Sequence, residues 1–288
     1  MGVMLLKRKL TSFQIIILGF SGVIIFGTFL LMLPFSSRSG LATPFFEALF
    51  TSTSAVCVTG LIIHDTATYW SAFGQFVILL LIQIGGMGVI TVAASFAMIS
   101  GRKISLMQRS TMQEAISAPK VGGIVRLTGF IVRVTLVTEL LCAAVMAPVF
   151  CRDFGKKGLW MALFHSVSAF CNAGFDLLGV RTPFSSLTSY AANPVINFTI
   201  MFLIVFGGIG FLTWDDIRTN RLHLHKYRMQ SKVILCTTAV LLIAPAMYFY
   251  FFEFDDLTRK ERLLSSLFQA VTPRTAGFNT VELTDLRE

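Results

Sequence analysis

Three copies of one short pattern each end in a glycine. Phe50, Ser54, Ala55, Cys57 and Gly60 recur at identical spacing as Phe164, Ser168, Ala169, Cys171 and Gly174. A third copy, one residue shorter between Phe and Gly, runs from Phe268 through Thr272 to Gly277 and Phe278. None of these side chains ionises usefully, so the chemistry on offer is that of the backbone. In the first copy Thr43 is placed to cap a helix, Pro44 suits its first position, and Glu47 complements its positive end. The eleven residues 44–54 rise only about 16 Å as a helix, which reaches the middle of a hydrocarbon core about 30 Å thick and no further. The chain must then return through residues 56–60 without helical hydrogen bonds, and such backbone is tolerated at that depth only where protein buries it or it lines a watery path. A partially negative helix end followed by clustered carbonyls is a device for holding a dehydrated cation. These loops carry no acidic ring, which favours a large monovalent ion over Mg²⁺ or Ca²⁺. The glycines also read as turns needing positive φ, and the two readings are compatible.

The elements that position these loops follow from composition. Of 288 residues 55% are hydrophobic and 14% charged, against roughly 25% charged in soluble domains, and the mean hydropathy is +0.74. That excludes most soluble folds and a disordered chain. A membrane span needs about 20 apolar residues. Residues 13–33, 66–101, 191–214 and 233–252 qualify, as does 127–151 apart from Arg133 and Glu139. Each is expected to cross once, and the first is expected to remain uncleaved, having no small-residue cleavage site. A proline precedes the glycine by 26 residues in two copies (Pro34, Pro148) and by 32 in the third (Pro245). Beyond the loops, Gly85, Gly86, Gly88 and Thr91 are echoed by Gly207, Gly208, Gly210 and Thr213. The chain therefore reads as repeated units of span, half-span with loop, and span.

With the N-terminus inside, inner segments hold 13 basic residues: Lys7, Arg8, Lys9; Arg102, Lys103, Arg109, Lys120, Arg126; and Arg218, Arg221, Lys226, Arg228, Lys232. The first two outer loops hold five, as the positive-inside rule requires. The net charge of +9 is thus a topology and lipid-headgroup signal, with no nucleic-acid footprint. Arg133 and Glu139, six positions apart, differ by about 240° around a helix. Arg133 is expected to snorkel to the inner headgroups, and Glu139, near the midplane, to meet another unit's polar group. Arg274 adjoins the third loop and is expected to point behind it, toward an acidic partner, since facing the ion would repel it. The glycine clusters lie within spans with no preceding strand, so they read as close helix packing and not as phosphate loops. The five cysteines lack metal spacing and read as buried free thiols, His223 and His225 lack a ligand cluster, and no catalytic constellation occurs, which argues against an enzyme.

With the loops at 56–61, 171–175 and 274–280, the chain resembles the Trk/Ktr/HKT superfamily of potassium transporters, most of all the KtrB-type membrane subunit. The resemblance implies an all-α membrane fold of four such units around one pore. This chain would hold about two and a half of them: residues 1–100, 101–214 and an incomplete 215–288. It implies a filter in which Gly60, Gly174 and Gly277, with the carbonyls of Val58, Thr59, Asn172, Ala173, Thr275 and Ala276, hold K⁺, the transported ion, with no further cofactor. Sodium-selective plant members carry Ser in the first loop, so Gly60 points to potassium. The first span starting near residue 13 favours the Ktr side over TrkH-type relatives with extra leading helices. Also implied are a homodimer in the bacterial inner membrane and a cytosolic nucleotide-binding RCK-type (KtrA-like) regulatory subunit at the basic loops 102–126 and 218–232. The chain stops eleven residues after Gly277, so it is expected to be C-terminally incomplete, with no gate residue assignable. The alternative is a secondary transporter of another class built on broken helices; that would predict inverted repeats, whereas these copies run in one orientation.

Overall fold

The computed structural model describes residues 11–100, 104–116, 122–221, 223–254 and 257–281. Lys7, Arg8, Lys9, Arg102, Lys103 and Lys120 lie outside the described residues. The first span, α1 (Ser12–Met32), starts where Thr11 Oγ1 accepts from the Gln14 N–H at 3.3 Å while Gln14 Oε1 accepts from the Thr11 N–H at 3.0 Å, a reciprocal capping box. The half-span α2 (Phe45–Val56) follows. Its N-cap is Pro44, one residue later than expected, and makes no side-chain capping bond; the hydroxyl of Thr43 is instead engaged by Tyr69 Oη at 3.2 Å. Glu47 lies in the first turn as expected, and its carboxylate meets His64 Nε2 at 2.6 Å. One short turn, α3 (Thr66–Tyr69), is capped by the Asp65 carboxylate, which accepts from the N–H groups of Ala67 and Thr68.

The second spans depart from the sequence reading. Residues 66–101 do not form one straight helix: α4 (Ala72–Met87) and α5 (Val89–Ile99) meet at a 96° bend. Residues 191–214 likewise divide into α9 (Pro194–Gly208) and α10 (Phe211–Asn220), bent by 93°. Gly88 and Gly210 occupy the two corners, each with φ +84°, a conformation closed in practice to residues with a Cβ. Hydropathy runs through both corners without a break, which is why apolar length alone suggests a continuous crossing.

Between the bent pairs lie α6 (Leu106–Ile116), α7 (Ile124–Phe154) and the second half-span α8 (Lys157–Phe170). The third unit comprises α11 (Met229–Tyr248), a short π-helical extension (Phe249–Glu253) and the half-span α12 (Arg259–Val271). Three helices among the described residues are long and apolar enough to cross a membrane, or five spans if each bent pair counts as one.

Packing repeats with the elements. Helix α2 packs against α1 and α4, α8 against α7 and α9, and α12 against α11. Successive units meet where a half-span leans on the preceding unit's second span, α8 on α4 and α12 on α9. Trp160 Nε1 of α8 donates to Gln75 Oε1 of α4 at 3.0 Å. The repeated phenylalanine records these neighbours: Phe164 and Phe268 are both 0% exposed, whereas Phe50 is 41% exposed.

Candidate ion-binding loops

Near the end of each half-span one residue fixes the loop after it. The carbonyl oxygens of Ser54, Ser168 and Thr272 accept from the N–H groups of Thr59 (2.9 Å), Ala173 (2.7 Å) and Ala276 (3.1 Å). Their hydroxyls brace the same turn. Ser168 Oγ donates to the Phe175 carbonyl and Thr272 Oγ1 to the Phe278 carbonyl, both at 2.7 Å, while Ser54 Oγ accepts from Thr59 Oγ1 at 3.0 Å. With N–H groups drawn back onto the helix ends, the carbonyls are left over. No hydrogen bond from a described residue reaches the carbonyl oxygens of Val58, Thr59, Gly60, Asn172, Ala173, Gly174, Thr275, Ala276 or Gly277. Unpaired carbonyls inside a membrane protein are costly unless something else satisfies them.

The backbone takes an unusual course to achieve this. Gly60, Gly174 and Gly277 have φ of +76°, +73° and +75°. Two residues earlier, Val58 and Asn172 are also left-handed at +57° and +60°, a state that costs a residue with a Cβ about 1–2 kcal/mol and tends to collect at functional sites. The third loop, one residue shorter, reaches its glycine differently: two residues before it, Thr275 keeps a negative φ of −157° with ψ −38° and is not left-handed.

The loops lie against one another. A Cβ on Gly60 would fall on the Ala173 carbonyl oxygen, and one on Gly174 would fall on the Ala276 carbonyl oxygen, each well inside the 3.0 Å that real Cβ atoms respect. The same atom on Gly277 would meet nothing within 4 Å among the described residues. Correspondingly Ala173 and Ala276 are buried, while Thr59, at the same position in the first loop, is exposed. A side-chain bond from Thr275 Oγ1 to Asn172 Oδ1 at 2.7 Å joins the second and third loops.

Supporting contacts explain the glycine clusters. A Cβ on Gly85 would strike the Val56 carbonyl at the end of α2, and one on Gly207 the Phe170 carbonyl at the end of α8. Gly86 leaves room for the Cys171 side chain. These are the close packings the sequence suggested, directed onto the half-span ends. His165, fully buried in α8, donates from Nδ1 to the Met161 carbonyl at 2.7 Å and accepts at Nε2 from the Leu177 N–H at 3.3 Å, tying α8 to the strand of chain beyond the loop.

The charged residues singled out in the sequence are placed apart. Arg133 is exposed on α7 and Glu139 is 2% exposed, so the two do not face each other. The Glu139 backbone carbonyl accepts from Ser166 Oγ at 2.7 Å. Its carboxyl group approaches the Gln83 side chain of α4, yet Glu139 Oε1 and Gln83 Nε2 each lack a hydrogen-bond partner. Arg274 turns behind the third loop, where Nη2 donates to Thr238 Oγ1 of α11 at 3.4 Å; a hydroxyl, not a carboxylate, receives it because α11 is the helix packed along α12. All five cysteines are free, but Cys57 and Cys236 are exposed, contrary to the expectation that all would be buried. The sequence marks Ser54, Ser168 and Thr272 only as repeat positions and Asn172 and Thr275 only for their carbonyls; the bracing hydroxyls, the Asn172–Thr275 side-chain bond and His165 come from the structure alone. The recurrence of Ser-Ala in two copies singles out the position, and not the bond it makes.

Against the known proteins, residues 7–288 match the TrkH family, described as cation transport protein. The chain belongs to that family. A potassium/sodium uptake protein, NtpJ, of Enterococcus hirae is 41% identical over 282 residues, covering 96% of this chain and 61% of the relative. The Ktr system potassium uptake protein B of Bacillus subtilis is 38% identical over 287 residues, covering 97% and 63%. Its namesake in Vibrio alginolyticus is 35% identical over 290 residues, covering 98% and 62%. This TrkH-family chain thus spans a little over three fifths of the length of these relatives. With its apolar helices and bent pairs it is a multi-pass membrane protein.

Proposed function

We propose that this TrkH-family chain forms part of a potassium uptake pore in which the loops at 58–60, 172–174 and 275–277 coordinate a dehydrated K⁺ through backbone carbonyls. One observation carries the reading: three glycine loops at half-span ends lean on one another in order, with their carbonyls unpaired. The helix termini behind them contribute partial negative charge, and carbonyl ligands in place of water are the means by which such filters hold a large monovalent cation. Among the described residues, Phe50 and Thr59 on one flank and Gly277 on the other are left uncovered, and there a fourth helix–loop unit would close the ring. We further place the N-terminus on the cytosolic side, and assign to the working protein a homodimer served by an RCK-type regulatory subunit at the basic inner loops. The names of the Ktr system relatives support a partnership of that kind.

The test is rubidium uptake by the full gene product in cells lacking their own potassium transporters, comparing the native protein with Gly60→Ser and Gly174→Ser. Loss of uptake, or a shift toward sodium, at unchanged membrane abundance is expected. Uptake and selectivity unchanged in both variants would overturn the assignment.

A further inference from the structure

A cavity of about 690 Å³ opens between the start of α7, the bent-off helix α10 and the start of α11. It lies at the end of α7 opposite the turn into α8, so it faces away from the side on which the half-spans dip in. Three arginines line it: Arg126, Arg218 and Arg228. Arg228 is matched by acids, with Nη2 at 2.9 Å from Asp215 Oδ2 and Nε at 3.5 Å from Asp216 Oδ1, yet its Nη1 is buried without a partner. Arg126 and Arg218 form no ion pair with a described residue. The guanidinium of Arg218 is held over the Phe130 ring, 4.6 Å from its centre, so part of its freedom is already lost before any ligand arrives.

Two guanidinium charges without a counter-ion among the described residues thus converge on one hollow, whose one lining carboxylate, Asp215, is already taken by Arg228, and the missing chemistry is a polyoxygen anion that planar forks recognise. The lining also decides between sources. Ile124, Leu127 and Leu212 supply an apolar wall beside the arginines, which free phosphate could not use and the glycerol ester of a phospholipid could. Basic pockets between spans at headgroup depth are suited to such lipids. We propose that this cavity binds the phosphate headgroup of an anionic phospholipid, anchoring the α10 corner to the bilayer. The site is independent of the potassium reading and uses no residue from the ion-binding loops; its three arginines lie in the basic segments 102–126 and 218–232 given above to the regulatory subunit, and the lipid would occupy the hollow between those segments.

The measurement is native mass spectrometry of the purified full gene product in a zwitterionic detergent, titrated with phosphatidylglycerol, phosphatidylcholine or inorganic phosphate. Saturable, tight retention of phosphatidylglycerol alone is expected. At about fivefold per surface arginine, Arg126→Gln with Arg218→Gln should weaken it about 30-fold, while Arg109→Gln on α6 leaves it unchanged. Arg126→Gln by itself, at an exposed side chain without an ion pair, should cost about fivefold and be rescued in part by Arg126→Lys; this pair decides the matter if the double variant does not fold. Retention by the variants within twofold of native would overturn the site. Phosphate competing as well as the lipid at equal concentration would overturn the lipid assignment.

Discussion

The contact between the second and third loops yields a sharp comparison. In Gly174→Ala the new Cβ lands on the Ala276 carbonyl oxygen, well inside 3.0 Å. Relief requires separation to the 3.4 Å of ordinary contact, a movement on the order of 1 Å. Neither partner can yield cheaply, since both are backbone and both belong to tethered turns: the Ala173 N–H is bonded to Ser168 and the Ala276 N–H to Thr272. The positive φ adds about 1–2 kcal/mol. Gly40 provides the matched reference, with φ +70° and nothing within 4 Å of its Cβ position, so Gly40→Ala incurs the same backbone cost without a collision. Both variants should lose a similar 1–2 kcal/mol of stability from this source. Only Gly174→Ala should disturb the spacing of the carbonyls proposed as ligands, and errors of about 1 Å in preorganised sites cost on the order of 100-fold. The assay is rubidium uptake per unit of membrane-inserted protein, together with competition by sodium. Gly40→Ala is expected to transport normally once abundance is corrected, and Gly174→Ala to fall at least tenfold, a conservative bound on that scale. Equal corrected uptake in the two would refute the argument that the loops set each other's positions.

Two other expectations concern the braces around the loops. Ser168→Ala and Thr272→Val each remove a hydroxyl donor to the carbonyl just past the glycine, at about 1 kcal/mol apiece; sodium competition should rise in both, measurably more than in Ser95→Ala, whose hydroxyl donates only within α5. In the loop between α8 and α9, burial pushes the Asp176 carboxyl up to about 6, opposed in part by its bond from the Leu178 N–H and aided least by the nearby Asp65 charge. A carboxyl raised in the folded state contributes stability below its ordinary value of 3.8 and loses it as pH rises through about 6. Thermal unfolding should therefore show Asp176→Asn gaining on the native protein between pH 4 and pH 7, while the Leu178 N–H keeps its acceptor.

Much of the loop architecture was legible because it is written three times. Gly60, Gly174 and Gly277 stand out through common spacing, and the half-spans announce themselves by being too short to cross. Other features depend on partners far away in sequence. Gly85 and Gly207 reveal their purpose only when the ends of α2 and α8 arrive against them. The corners at Gly88 and Gly210 are silent in hydropathy, since a left-handed φ leaves no compositional trace in an apolar stretch. Thr43 looked like a cap because of its residue type, and Tyr69, 26 positions away, took its hydroxyl. Arg274 could be assigned a direction from repulsion, but its partner depended on which face of α11 packs behind it.

The order of the loop contacts has a mechanical consequence. Gly60 bears on Ala173 and Gly174 bears on Ala276, in both cases glycine against the next loop's carbonyl. The loops are therefore coupled in series, like stones in an arch, and no one of them sets its radius alone. A displacement introduced at one turn is handed to its neighbour, so the spacing of the oxygens belongs to the set. Such a set tolerates variation in the side chains beyond it far better than one added carbon at any of its bearing points.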